Sequence, residues 1–465
     1  VIKLAIAQIS LEKLHFDPAP NLKTKIPGPR GKALLEAQER LEGRVFKYPR
    51  MLPLALDEGM GATIRDVDGN TYIDLYAGIG VMNVGHSNPV VLEAAMKQAA
   101  KLTHALDFPT QARIDLVKRL IEIAPGTMRG TAKTVFGGPT GADAVEGAIK
   151  LAKSFTKRHT LIGFRGSYHG QSSAALSVTG GKAYKERYAP LLPDVHFMPY
   201  PYEYRCPFGE TKRHDCAAHT LQYIEDALRD PYGGISKPCA MIVEPIQGES
   251  GVIVPPAHFL KGLKKICEQN EMLLIADEIQ TGFGRTGAMF ASEHYDTTPD
   301  VITMAKALGG IGFPLSGCLY QQKLDTWEPG SHMGTFRGNA VGMAAGSAAI
   351  DFLRDYELAK HSATLGEEAM DRFKSVQDEI PQLGEVRGKG LFIGLEFVTD
   401  RSTREPNVKI VQEIQKRCLE NGVLIWTAGH YGNVVRLIPP LVITQELLHK
   451  GLDILEEAIR KATNN

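Results

Sequence analysis

LLIADEIQTGFGRTG, Leu273–Gly287, joins an apolar run, two acids and a glycine-rich turn. Its last six residues match G-x-G-x-x-G and follow a run that reads as a buried strand. A dinucleotide-binding turn places its first glycine at the strand-to-helix junction, with the helix opening inside the glycines. Here Asp277, Glu278, Ile279, Gln280 and Thr281 intervene before Gly282, and the following AMFASEHYDTTPD is too short for a crossover helix. The lone match is weak, and the Rossmann reading falls. What remains at the strand's end is Asp277, an acid where a sheet presents its catalytic groups.

The next apolar run, VITMAKALGG, ends at Lys306. An Asp and a Lys at the ends of successive strands form a physical pair for pyridoxal phosphate. The amine forms a Schiff base, and the carboxylate keeps the pyridine nitrogen protonated so that the ring acts as an electron sink. Taken singly, Asp277 reads equally as a helix cap and Lys306 as a surface charge. The cofactor also needs an anion site, and VFGGPTGADAVEGAIKLAK supplies a strand, a Gly-rich turn and a helix opening near Gly141. Free N–H groups at a helix start bind phosphate. No Lys-Ser/Thr follows these glycines, so this is not a Walker motif. Tyr168, in FRGSYHGQSS, offers a ring to stack on a flat cofactor, although an aromatic at a strand end is commonly core.

Short apolar runs recur at KTVFGG, TLIGFRG, VHFMPY, CAMIVEP, MLLIADE, VITMAKA and LSGCLYQ, most of them separated by helical periodicity. This predicts an α/β fold with a mainly parallel sheet covered by helices on both faces. Before it, ATIRDVDGNTYIDL reads as a hairpin turning at Asp68-Gly69 rather than as a calcium loop, because the glycine falls too early. After about Gly346 come helices, then VRGKGLFIGLEFV and VVRLIPPLVIT as strands of a smaller α+β unit. The expected division is 1–94 for an N-terminal arm and part of the small domain, 95–345 for the large domain, and 346–465 for the C-terminal small domain.

The 465 residues hold 53 basic and 53 acidic side chains, and 43% are hydrophobic. Zero formal charge recommends neither nucleic acid nor an anionic membrane as partner. No apolar run approaches the ~20 residues of a membrane span. The opening VIKLAIAQISLEKL is interrupted early by charge and reads as an amphipathic arm, not a signal peptide. Six scattered cysteines without a C-x-x-C pair suggest reduced thiols and a cytoplasmic protein. HDCAAH, with His214, Cys216 and His219, lacks a second ligand pair and reads as a loop rather than a metal site.

At this point the chain resembles the class III (ω-amino acid) aminotransferases of the type I pyridoxal-phosphate fold, from about residue 45 to 460. The resemblance is carried, in order, by IDLYAGIGVMNVGHSNP, SYHG, VEPIQGESG, ADEIQTGFGRTG, AKALGG, GTFRGN, VRGKGLFIGLEF and VVRLIPPLVI. It implies that Lys306 is the Schiff-base lysine and Asp277 the pyridinium partner. It implies that Gln280 bonds the phenolic oxygen, Ile279 and Tyr168 sandwich the ring, and Gly141 and Ala142 hold the phosphate. Thr335 would reach that phosphate from a neighbouring subunit, in a homodimer or dimer of dimers with shared sites. Arg436 would take the substrate α-carboxylate, with Glu249 as its switchable ion-pair partner.

Two departures bear on substrate. Many γ-aminobutyrate and ornithine enzymes of the family carry an Arg where YHGQ places Gln171, which cannot form a charged fork. TFRGNA replaces the usual T-[FY]-G-G-N-P, so Arg337 stands near the shared site as a substrate or interface residue. GPTGADAVE, LLPDVHFMPYPYEYRCPFG, LDTWEPGSHMGTFRGN and MAAGSAAIDFL look most like diaminobutyrate–2-oxoglutarate aminotransferases. Ile79, in YAGIGV, also resembles γ-aminobutyrate aminotransferases and is expected on the substrate side. The resemblance implies amino-acid and 2-oxo-acid substrates. Amino-acid racemases share the same cofactor residues and form the alternative.

Overall fold

The computed structural model describes residues 9–209 and 215–463. A seven-stranded sheet runs in the order Lys133–Phe136, Gly317–Tyr320, Val301–Met304, Leu273–Asp277, Ala240–Val243, Leu161–Phe164, Val195–Met198. Every apolar run read as a strand between residues 133 and 320 is one of its members. Neighbours from Val301–Met304 to Val195–Met198 pair in parallel, and Gly317–Tyr320 runs antiparallel to both of its partners.

The inner strands are mainly apolar because both faces are covered, whereas the edge strands Lys133–Phe136 and Val195–Met198 carry Lys133, Thr134 and His196. Ala240 and Ile242 pack with Val145, Ala148 and Ile149 of the helix Gly141–Thr156. The alternate residues, Met241 and Val243, pack with Phe259, Leu260 and Leu263 of the helix Phe259–Gln269. A period of two thus feeds two cores from one strand. Each Ile, Leu or Val so buried contributes about 1.5–3 kcal/mol.

The hairpin forms as expected, Thr63–Asp66 against Thr71–Asp74, with Gly69 at φ 84° and the Asp66 carboxylate accepting from the N–H groups of Asp68 and Asn70. Its far edge is completed by Val423–Leu424, in parallel with Thr71–Asp74. A second four-stranded sheet holds Leu383–Lys389, Phe392–Phe397, Val434–Leu437 and Trp426–Ala428. Only the first part of VVRLIPPLVIT is strand, because Pro439 and Pro440 lack the N–H groups a ladder needs.

Arg285 explains the glycine run that raised the Rossmann question. Its buried guanidinium donates to Leu391 O at 3.0 Å, Pro439 O at 2.6 Å and Asn83 Oδ1 at 2.8 Å. Burial pushes its pKa down to about 9, against the field of Asp74. Gly287, at φ 91°, lies so close to the helix Leu358–Glu379 that a Cβ would stand 3.0 Å from that of Ala363. GFGRTG is therefore a turn that locks three segments together.

The cysteine expectation needs correction. Cys206 and Cys216 form a disulfide with Cα atoms 6.0 Å apart, while Cys239, Cys267, Cys318 and Cys418 are free and buried. The pair joins the residue that caps the short 3-10 helix Glu203–Arg205 to the start of the helix Cys216–Arg229, a proximity that spacing alone does not reveal. His214 and residues 1–8 of the opening arm lie outside the described residues. Among the described residues no His, Cys, Asp and Glu group is arranged to hold a metal, and no helix is long and apolar enough to cross a membrane.

Candidate active site

Sheet order brings the chemistry together. Val301–Met304 leads to Lys306, Leu273–Asp277 ends in Asp277, Ala240–Val243 leads to Glu244, and Leu161–Phe164 leads to Tyr168 and His169. Parallel strands present their carboxyl ends on one side, so these four loops share one crevice. It is a cavity of about 640 Å³. Of the residues singled out above, its walls hold Lys306 and Asp277, Gly141 and Ala142, Tyr168 and Ile279, and also Gln171, Glu249 and Gln280.

Asp277 is held on three sides. Its Oδ2 lies 2.7 Å from His169 Nδ1, and its Oδ1 accepts from Thr303 Oγ1 at 3.0 Å and from Ile279 N at 3.1 Å. A carboxylate fixed in this way cannot turn from the cavity. Lys306 sits at φ 48°, in the left-handed region, and burial lowers its amine pKa to about 8, with Glu249 and Asp277 opposing that fall.

The helix Gly141–Thr156 opens onto the cavity, its N-terminus closed by Asp143 Oδ2, which accepts from Thr140 N at 2.9 Å. A Cβ on Gly141 would approach Ile279 Cδ1 to 2.9 Å, so glycine lets Ile279 lie over the helix start. Across the cavity the Tyr168 N–H donates to Glu244 Oε1 at 2.9 Å, and Gln171 Nε2 approaches the Tyr168 hydroxyl at 3.4 Å.

Arg436 is fully buried in the strand Val434–Leu437 and donates from Nη1 to Glu249 Oε1 at 2.9 Å and to Gln280 Oε1 at 3.3 Å. Its Nε and Nη2 are buried without a protein partner. Burial raises the Glu249 pKa, but Arg436 and then Lys306 outweigh it and hold the carboxyl below its ordinary value. Gln280 also donates from Nε2 to Ile79 O at 3.2 Å. Ile79 thus meets the site through its carbonyl, within a left-handed run in which Ala77, Gly78, Ile79 and Gly80 have φ of 49°, 58°, 65° and 75°. Such a run is costly for a β-branched residue and persists only where its surroundings over-determine it.

Thr335 and Arg337 are not among the cavity residues of their own chain. Thr335 is exposed, beside Met333 and Phe336 at 72% and 73% exposure. Arg337 stands in the field of Asp143, with its Nη1 buried and unpartnered.

Three residues escaped the sequence reading. His169 orients Asp277. Glu244 joins Tyr168 to the Glu249 segment, its Oε2 accepting from Gly248 N at 2.9 Å, and burial pushes its pKa up to about 7. Gly248 leaves room for Gln280, whose Oε1 would lie 1.8 Å from an added Cβ. SYHG and VEPIQGESG contained all three, but only proximity gives them these tasks.

The family model for class-III aminotransferases matches residues 47–459. The chain belongs to that family. This aminotransferase is 40% identical over 418 residues to a diaminobutyrate–2-oxoglutarate aminotransferase of Rhizobium meliloti, covering 88% of each chain. It is also 35% identical over 447 residues to an alanine/serine racemase of Pyrococcus horikoshii, covering 95% of this chain and 93% of that one. In structure it resembles the ornithine aminotransferase from Toxoplasma gondii, solved with partial occupancy of pyridoxal phosphate at its active site. The TM-score is 0.81 at 27% identity, over 93% of this chain and 95% of that one.

The aminotransferase is pyridoxal-phosphate dependent, and the cavity fits that cofactor. A buried amine faces a fixed carboxylate, Tyr168 and Ile279 provide flat and apolar walls, and the glycine at position 141 keeps the helix start uncrowded.

Proposed function

We propose that this aminotransferase moves the terminal amine of a short diamino or ω-amino acid to 2-oxoglutarate, giving L-glutamate. L-2,4-Diaminobutyrate is the leading donor, with 4-aminobutyrate and ornithine its nearest rivals. One observation carries the reading: the Glu249–Arg436 pair at the cavity, with two further Arg436 donors buried and unpartnered. An Arg that meets a carboxylate in one half-reaction and an amine-bearing chain in the other needs a neutralising partner that can withdraw. Glu249, with a quarter of its side chain exposed at 26%, has room to do so. The name of the Rhizobium meliloti relative supports the donor and acceptor.

In this reading Gly141 and Ala142 bind phosphate through backbone N–H groups, Ile279 and Tyr168 flank the ring, and Gln280 reaches the phenolic oxygen. Asp277, oriented by His169, faces the ring nitrogen. When bound, pyridoxal phosphate supplies an electron sink that weakens the bonds at the carbon carrying the substrate's amine. Lys306 Nζ would take the proton from that carbon and return it to the carbon on the far side of the nitrogen, a 1,3 shift. Gln171 makes no charged fork, which suits a diamino acid better than a donor needing a distal clamp.

A homodimer, alone or paired again, completes the site, with Thr335 reaching the phosphate held by the other chain. Exposed Met333, Phe336 and Phe108 support an apolar interface there. Arg337 then receives the second carboxylate of 2-oxoglutarate or braces the interface.

The racemase relative favours a second reading, inversion of one amino acid at its α-carbon. Incubation with a panel of amino acids, with and without 2-oxoglutarate, followed by chiral chromatography, separates the two. Glutamate formed only with an ω-amino donor supports transfer, whereas racemisation without glutamate overturns it.

A further inference from the structure

The segment carrying Glu249 is tied down by several hydrogen bonds. Gly248 N donates to Glu244, Glu249 O accepts from Gly429 N at 3.0 Å, and the Ser250 hydroxyl donates to Gly166 O. The next two residues both turn at positive φ, Gly251 at 102° and Val252 at 57°. A β-branched residue at positive φ persists only where its surroundings over-determine it.

Arg387 provides that constraint. Its Nε donates to Gly251 O at 3.0 Å and Val252 O at 3.1 Å, and its Nη2 donates to Gly251 O at 2.7 Å. Its remaining nitrogen, Nη1, donates to Glu396 Oε2 at 2.7 Å and also to Glu385. Glu396, 1% exposed, is anchored in turn by Arg205 Nε at 2.6 Å and by the Tyr202 hydroxyl. One planar guanidinium therefore clamps the turn and is itself clamped, a geometry that a lysine ammonium cannot reproduce. Arg387 and Arg436 stand on neighbouring ladders, since Gly394 pairs with both. The clamp and the cation that Glu249 must reach share one rigid sheet.

We propose that Arg387 is a positioning residue for the alternation of Glu249 and Arg436. It holds Gly251 and Val252, so Glu249 leaves and regains Arg436 by side-chain rotation on a stationary turn. The inference rests on the roles given above to Glu249 and Arg436. With Arg387→Lys the turn relaxes, Glu249 covers Arg436 less often, and Arg436 is freer for a substrate carboxylate. KM for L-glutamate then falls while its kcat holds, and kcat/KM for L-2,4-diaminobutyrate falls. The ratio of the two specificity constants moves about tenfold towards glutamate. Unspecific damage lowers both together.

The test measures both half-reactions on holoenzyme of wild type, Arg387→Lys, Glu249→Ala and the double variant. Expected are a shift towards glutamate in Arg387→Lys and no further shift when that change is added to Glu249→Ala. If Glu249→Ala shifts the ratio and Arg387→Lys does not, the positioning role is overturned and the Glu249–Arg436 reading stands. If Glu249→Ala itself leaves the ratio unmoved, that reading fails and the inference fails with it. Should wild type not react with L-2,4-diaminobutyrate, the donor assignment falls and the lowered KM for L-glutamate decides alone. If Arg387→Lys does not fold, Arg387→Gln carries the same comparison.

Discussion

His169 Nδ1 lies 2.7 Å from Asp277 Oδ2, and neither side chain reaches solvent, at 0% and 3% exposure. The histidine fixes the direction in which the carboxylate presents its charge to the cavity. Asp277→Asn keeps the shape and removes the charge, so kcat for the donor half-reaction is expected to fall by about 10²–10⁴. His169→Phe, which leaves the charge but frees its orientation, costs less. Stopped-flow absorbance of the cofactor measures both, and near-normal turnover in Asp277→Asn reduces that residue to a structural acceptor.

The Lys306 amine gives a pH dependence with a definite sign. Burial places its pKa at about 8 in the folded protein, below the value of about 10.4 for an unfolded chain. The neutral, nucleophilic amine therefore grows as pH rises through 8, and uptake of pyridoxal phosphate by the apoenzyme accelerates over that window and then levels. Between the two values the unfolded chain holds the additional proton, so this group's contribution to apoenzyme stability rises with pH. Glu244, raised to about 7 by burial, contributes in the opposite sense below neutrality. Uptake rates in wild type and Glu244→Gln separate them. A rate flat from pH 7 to pH 9 contradicts the assignment.

How much of this was legible follows from what each residue type reveals locally. The inner strands of the large sheet announced themselves because both faces are buried, leaving runs such as MLLIA apolar throughout. Lys306 and Asp277 stood out because they end such runs. Val423–Leu424 did not, since a two-residue strand has no periodicity and its partner Thr71–Asp74 lies far away in the chain. The tasks of His169, Glu244 and Arg387 depend on neighbours brought together by folding. Ile79 was placed on the substrate side by resemblance, yet its left-handed backbone and its bond from Gln280 are tertiary facts.

Gly248 provides a test of crowding. A Cβ there would lie 1.8 Å from Gln280 Oε1, so Gly248→Ala must push Gln280 away from Arg436 and Ile79. The expected cost is about 1–3 kcal/mol of stability, read from the urea midpoint, together with loss of turnover. An unchanged midpoint and rate would show that Gln280 is free to move and not part of the site.

The interface reading turns on Phe336, 73% exposed and 5.5 Å from His104 between ring centroids. If a second chain covers it, Phe336→Asp buries an unpaired charge at the contact and shifts the protein to monomers with little activity. Sedimentation velocity with a parallel assay reports both. A fully active monomer in wild type contradicts shared sites.

Transfer of a terminal amine to 2-oxoglutarate leaves an isotopic signature in the product. Holoenzyme incubated with L-2,4-diaminobutyrate labelled with ¹⁵N at the distal nitrogen, plus unlabelled 2-oxoglutarate, tests it by mass spectrometry of the product. L-Glutamate carrying ¹⁵N is expected, in amounts matching the donor consumed. Unlabelled glutamate would place the reaction at the α-amine, and racemised donor with no glutamate would replace amino transfer by inversion.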